Sequence, residues 1–137
     1  MALRSRPGNF ASAWSGAAVE SARLIGRRDQ FRAAAKLLAH RRLLTLTGPG
    51  GVGKTKFALH AAARSAAHFP DGVWLVELAS LRDANLVFEA AASALGVEIG
   101  DNAKPLDALA RHLARRTLLI VLDNCEHVIE AVVALCD

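Results

Sequence analysis

The chain has 137 residues, 53% of hydrophobic types and 22% charged, and a formal net charge of +4. That is room for one domain with a real core, since domains usually run roughly 100–150 residues, and the apolar content excludes a disordered chain. No uncharged apolar run reaches the ~18 residues of a membrane span, and two cysteines, Cys125 and Cys136, make neither a disulfide framework nor a paired metal motif, which fits a reduced, cytoplasmic setting.

The charge is unevenly placed. Residues 1–42 hold nine Arg and Lys against two acids, whereas residues 43–137 hold eight against eleven. The basic front reads as a solvated linker followed by an exposed helix face; an arm onto phosphate or an acidic partner is the alternative. Tyrosine is absent and aromatics are 5%, so stacking platforms for nucleic acid are lacking and direct DNA binding is not expected. Residues 1–22, with Pro7, Gly8 and Gly16 and no sustained apolar period, read as a flexible basic lead-in to a domain over 23–137.

From Asp29 the pattern turns helical, with Phe31, Ala34, Ala35, Leu37 and Leu38 at three-to-four spacing and Arg32, Lys36, Arg41 and Arg42 on the wet side. Residues 43–47, Leu-Leu-Thr-Leu-Thr, form a short β-rich run cut off by Gly-Pro-Gly-Gly and predict a buried strand. A helix is expected over 54–67, a turn at Pro70-Asp71-Gly72 and a second strand over 73–77. Residues 86–95 predict a helix stopped by Gly96, and Pro105 starts another that ends near Arg115 and Arg116. Five aliphatics at 118–122 predict a strand covered on both faces, ended by Asp123, with a helix over 125–136. Strands alternating with helices imply a parallel α/β domain.

The most informative segment is Gly48-Pro49-Gly50-Gly51-Val52-Gly53-Lys54-Thr55, a complete G-x-x-x-x-G-K-[ST] pattern between a predicted strand and a predicted helix. Main-chain N–H groups that converge on phosphate oxygens need glycine for positive φ and close approach. A helix that opens there adds free N–H groups and the positive end of its dipole. Lys54 is expected to bridge β- and γ-phosphate oxygens, and the Thr55 hydroxyl to ligate Mg²⁺. Such a site needs a carboxylate opposite the threonine, and Asp123, at the carboxyl end of an aliphatic strand, is where open α/β sheets place ligand groups. A water-positioning acid often follows that aspartate; here Asn124 follows, and Glu126 is the nearest substitute, with a first-turn helix acid as its plain alternative. The histidines at 40, 60, 68 and 112 show no metal spacing and read as solvated, and His127 as a surface helix residue with a site role as the alternative.

These blocks occur in a familiar order. Leu24-Ile25-Gly26-Arg27, the phosphate loop, Phe69-Pro70-Asp71-Gly72-Val73-Trp74 and Leu119-Ile120-Val121-Leu122-Asp123-Asn124-Cys125-Glu126-His127 resemble the NTPase module of bacterial STAND/NB-ARC-type transcriptional regulators, the large LuxR-like and AfsR-like ATPases. The resemblance covers roughly residues 24–137. It implies that Ile25, Gly26 and Arg27 line the adenine and ribose side, that residues 48–55 with Lys56 hold the phosphates of ATP or ADP, and that Thr55 and Asp123 serve Mg²⁺. It further implies a nucleotide-state switch inside a larger regulator, with at most slow ATP hydrolysis. The expected architecture is a partial P-loop NTPase three-layer sandwich with a parallel sheet of order 2-3-1, further core strands and a sensor arginine lying beyond this chain. The segment 43–47 then forms an open edge, suited to missing domains or to self-association. A truncated frame acting only through that edge and a small P-loop kinase are the alternatives.

Overall fold

The structure, a computed structural model, describes residues 28–137. Helix α1, Arg28–His40, buries Phe31 and Ala34 and carries Asp29 in its first turn, where a negative charge suits the helix dipole. Helix α2, Lys54–Ser65, follows the glycine loop and passes into a short 3₁₀ turn, Ala66–His68, so the helix expected over 54–67 tightens in its last turn. Strand β1 spans Val73–Glu77, helix α3 Leu86–Leu95, helix α4 Pro105–Leu113 and strand β2 Leu119–Asp123. A 3₁₀ turn, Glu126–Val128, leads into helix α5, Ile129–Cys136; the single helix expected over 125–136 is therefore split.

Sequence chemistry accounts for most of these boundaries. Pro105 occupies the first turn of α4, where its missing N–H costs nothing. Gly96 ends α3 in a left-handed conformation, and Val97 N–H reaches back to the Ala92 carbonyl at 2.8 Å, closing a Schellman-type cap. The turn before β1 is fastened to the start of β2: Asp71 accepts the Thr117 N–H at 2.7 Å and donates its own N–H to the Thr117 carbonyl at 3.1 Å. Trp74 adds its indole N–H to the Asp71 carbonyl at 3.1 Å.

Strands β1 and β2 are parallel and in register from Val73↔Leu119 to Glu77↔Asp123. Their alternation sorts side chains onto two faces. Val73, Leu75, Leu119 and Val121 pack with Leu59 and Ala62 of α2. Trp74, Val76, Ile120 and Leu122 pack with α3, α4 and α5 around Leu78, Val87 and Leu109, all three sealed from solvent. Helices thus cover both faces of the sheet.

The segment 43–47 departs from expectation. Among the described residues the sheet has two strands, β1 and β2, so the order 2-3-1 reduces to its 2-3 pair. No backbone hydrogen bond joins residues 43–47 to β1 or β2. Leu44 and Leu46 lie half-buried against Phe31, Ala34, Phe57 and Ala61, while Leu43 is 62% exposed. Leu44 and Leu46 are satisfied by packing onto α1 and α2. A strand, however, is defined by its ladder, and an apolar alternating run cannot supply the opposing row of donors and acceptors. The two thiols are free, as expected; burial first, then the charges of Asp137 and Cys125, push the Cys136 thiol up, against the opposing pull of Arg42.

Candidate functional site

The loop of residues 48–55 is shaped by backbone sign. Gly51 and Gly53 sit at φ +77° and +83°, where L side chains are rarely found. A Cβ at Gly50, Gly51 or Gly53 would meet nothing within 4 Å. Glycine is therefore required at 51 and 53 for conformation, and the space beside the loop is open. Gly53 is also the N-cap of α2 and offers no side-chain cap, so the first-turn N–H groups of that helix stay available at the loop.

Two side chains leaving α2's first turn have defined partners. The Lys54 ammonium donates to the Gly48 carbonyl at 2.8 Å and the Pro49 carbonyl at 3.0 Å, curling over its own loop. The Thr55 hydroxyl donates to the Asp123 carboxylate, at 2.9 Å from Oδ1 and 3.1 Å from Oδ2, across 68 residues of sequence. Lys56 and Val52 are exposed on the same loop and helix start. Strand pairing and the α2–sheet contact thus unite Thr55 and Asp123, the two groups expected to share one ion.

Asp123 is held through its main chain. Leu78 N–H donates to the Asp123 carbonyl at 3.1 Å, carrying the parallel ladder one step past β1. The next residue, Asn124, turns the chain at φ +54°, a conformation that asparagine tolerates better than most. His127 Nε2 lies 2.7 Å from the Leu81 carbonyl and must be the donor, which ties the turn after β2 to the loop after β1. His127 is exposed, as expected of a surface residue, but it sits in a 3₁₀ turn with this cross-loop bond and not on a regular helix.

Glu126 is exposed in that turn and has no side-chain partner among the described residues. Ile25, Gly26 and Arg27 lie outside the described residues. Of the histidines read as solvated, His60 is half-buried with its ring 4.8 Å from Phe31, and His68 Nδ1 lies 3.3 Å from the Ser65 carbonyl. Burial first and then Arg116 hold the His112 imidazole below its ordinary value. Glu77 was not singled out from the sequence, yet it is the in-register neighbour of Asp123. Strand parity was the available signal.

The donor set can be tested against Mg²⁺. A carboxylate and a hydroxyl within hydrogen-bond distance are the hard oxygen ligands this ion takes. Among the described residues no group of three or more His, Cys, Asp or Glu could form a closed cage. Mg²⁺ typically keeps waters and phosphate oxygens beside one or two protein oxygens, so the residues present fit it. A separate open depression of about 550 Å³, lined by residues such as Asp101, Lys104, Asp107 and Arg111, shares no residue with the loop. Among the described residues no helix is long and apolar enough to cross a membrane.

Residues 37–136 match the family model described as AAA domain. The chain is 43% identical over 99 residues to the "Putative HTH-type transcriptional regulator Rv0890c" of Mycobacterium tuberculosis and to its Mycobacterium bovis counterpart Mb0914c. That alignment takes in 72% of this chain but 11% of the relatives, so the chain spans about a tenth of their length. It is 35% identical over 113 residues to the "Uncharacterized protein Rv0894" of Mycobacterium tuberculosis, covering 82% of this chain and 29% of that protein. No solved structure matches at a significant level.

Proposed function

The chain belongs to the AAA domain family of P-loop proteins, and from that premise we propose that it is the adenine-nucleotide-binding portion of a STAND/NB-ARC-type transcriptional regulator of the LuxR-like or AfsR-like kind. The carrying observation is the bond from Thr55 to Asp123 at the foot of an open, glycine-turned loop. On this reading residues 48–53 cradle the phosphates of ATP or ADP with main-chain N–H groups. Lys54 exchanges its two loop carbonyls for phosphate oxygens, a stronger, charge-assisted pairing. Thr55 and Asp123 hold Mg²⁺, which supplies charge neutralisation between phosphates when bound.

Lys56 flanks the phosphate side, and Ile25, Gly26 and Arg27 take the adenine and ribose side, as the family resemblance implies. Relatives named as helix-turn-helix regulators support a setting in which nucleotide state is read by other domains. Occupancy then acts as a conformational switch in the cytoplasm, the DNA-binding element lying elsewhere in the regulator.

Calorimetric titration with Mg-ATP and Mg-ADP tests this reading. The parent chain is expected to bind both, and Lys54→Ala to weaken binding by roughly 10- to 100-fold, the scale of a lost charge-assisted bond of about 1.5–3 kcal/mol. Equal affinities for the two chains would sink it.

A further inference from the structure

Asp123 is followed by an asparagine, and an acid stands one strand away. In P-loop hydrolysis a side chain must orient the attacking water and accept its proton, and Asn124 has no basic oxygen for that work. Glu77, the last residue of β1, is paired in register with Asp123, the last residue of β2. Neighbouring strands lie about 4.8 Å apart, so the two backbones are adjacent. Parity puts their side chains on one face: Val73 and Leu75, like Leu119 and Val121, point to α2, and residues 77 and 123 continue those rows. Asp123 demonstrates that direction by accepting the hydroxyl of Thr55 from the first turn of α2.

Glu77 is exposed and has no partner among the described residues, so its carboxylate is uncommitted. Its backbone is nevertheless fixed, because the Leu78 N–H bond to the Asp123 carbonyl extends the ladder just beyond it. Glu126, by contrast, lies outside the ladder, past the left-handed turn at Asn124.

We propose that Glu77 is the catalytic base of a slow ATP hydrolysis at this site, resting on the nucleotide-binding reading above. The water oxygen bonds to the γ-phosphorus as the bond from that phosphorus to the β–γ bridging oxygen breaks. The water proton passes to the Glu77 carboxylate and from there to solvent, and ADP and inorganic phosphate leave.

The test uses the full chain with Mg-ATP, measuring phosphate release in single turnover, ATP affinity by titration, and the nucleotide retained after gel filtration. Glu77→Gln is expected to slow hydrolysis at least 100-fold, in line with the ~10²–10⁴-fold scale of general base catalysis. Its ATP affinity should stay within twofold of the parent, and it should elute with ATP still intact. Glu130→Gln, an exposed acid in α5, serves as the neutral control. A Glu77→Gln chain that hydrolyses at the parent rate overturns the proposal, as does loss of turnover in Glu126→Gln with Glu77→Gln unaffected. A parent that binds ATP without hydrolysing it overturns the catalytic role and leaves the binding reading standing. A parent that binds no nucleotide, like Lys54→Ala, overturns both.

Discussion

Two parts of this molecule start from similar material and end differently. Around β1, β2, α3 and α4 lies a core in which Leu78, Val87 and Leu109 are sealed from water, with every strand residue paired. Around α1 and residues 43–47 lies a smaller cluster in which Phe31 stacks on Phe57 at 4.5 Å, while Leu43 stays 62% exposed. Leucine is abundant in both. In the first part a backbone partner and a helix on each face are present; in the second, two helices cover one face and no strand among the described residues completes a ladder. Apolarity brings a segment to a surface, and pairing is what makes it a strand.

That contrast is open to direct tests. The largest effect is expected at Leu109, where truncation to alanine leaves a cavity beneath α3 and should cost about 3 kcal/mol in a denaturant titration. A cost below ~1 kcal/mol would mean the sealed region is softer than its burial implies. An intermediate effect of opposite sign is expected at Ser65, whose buried hydroxyl has no hydrogen-bond partner among the described residues. Ser65→Ala removes that liability and should raise stability by about 1 kcal/mol; destabilisation would indicate a partner such as an internal water. The smallest effect belongs to Leu43→Ser, within about 0.5 kcal/mol by the same titration, because the side chain is largely in solvent. A loss near that of Leu109→Ala would erase the distinction between the two parts.

The comparison also shows where the site draws its rigidity. Asp123 belongs to the well-paired part and is pinned by Leu78; the loop that faces it leaves the loosely covered part. The Thr55–Asp123 bond is the junction between them. Lys54 folded onto Gly48 and Pro49 shows a loop whose carbonyls already engage the ammonium, so phosphate binding is an exchange of partners for this side chain.

Much of this was written locally. The bounds of β1 and α3 follow from Val73-Trp74-Leu75-Val76-Glu77 and from Leu86 to the Gly96 stop, because local propensity and turn chemistry agree there. The loop's glycines, Lys54, Thr55 and Asp123 were likewise visible, since the spacing itself encodes the turn and the helix start. Three things needed the third dimension. Among the described residues, 43–47 have no ladder partner, which no amount of apolar content discloses. His127 donates to Leu81, a partner 46 positions away that no local pattern marks. Glu77 stands beside Asp123 because two strands pair in one register and not in the next, a choice made by packing on both faces. Local chemistry thus specified the parts and the phosphate loop, and long-range pairing decided which acids share its neighbourhood.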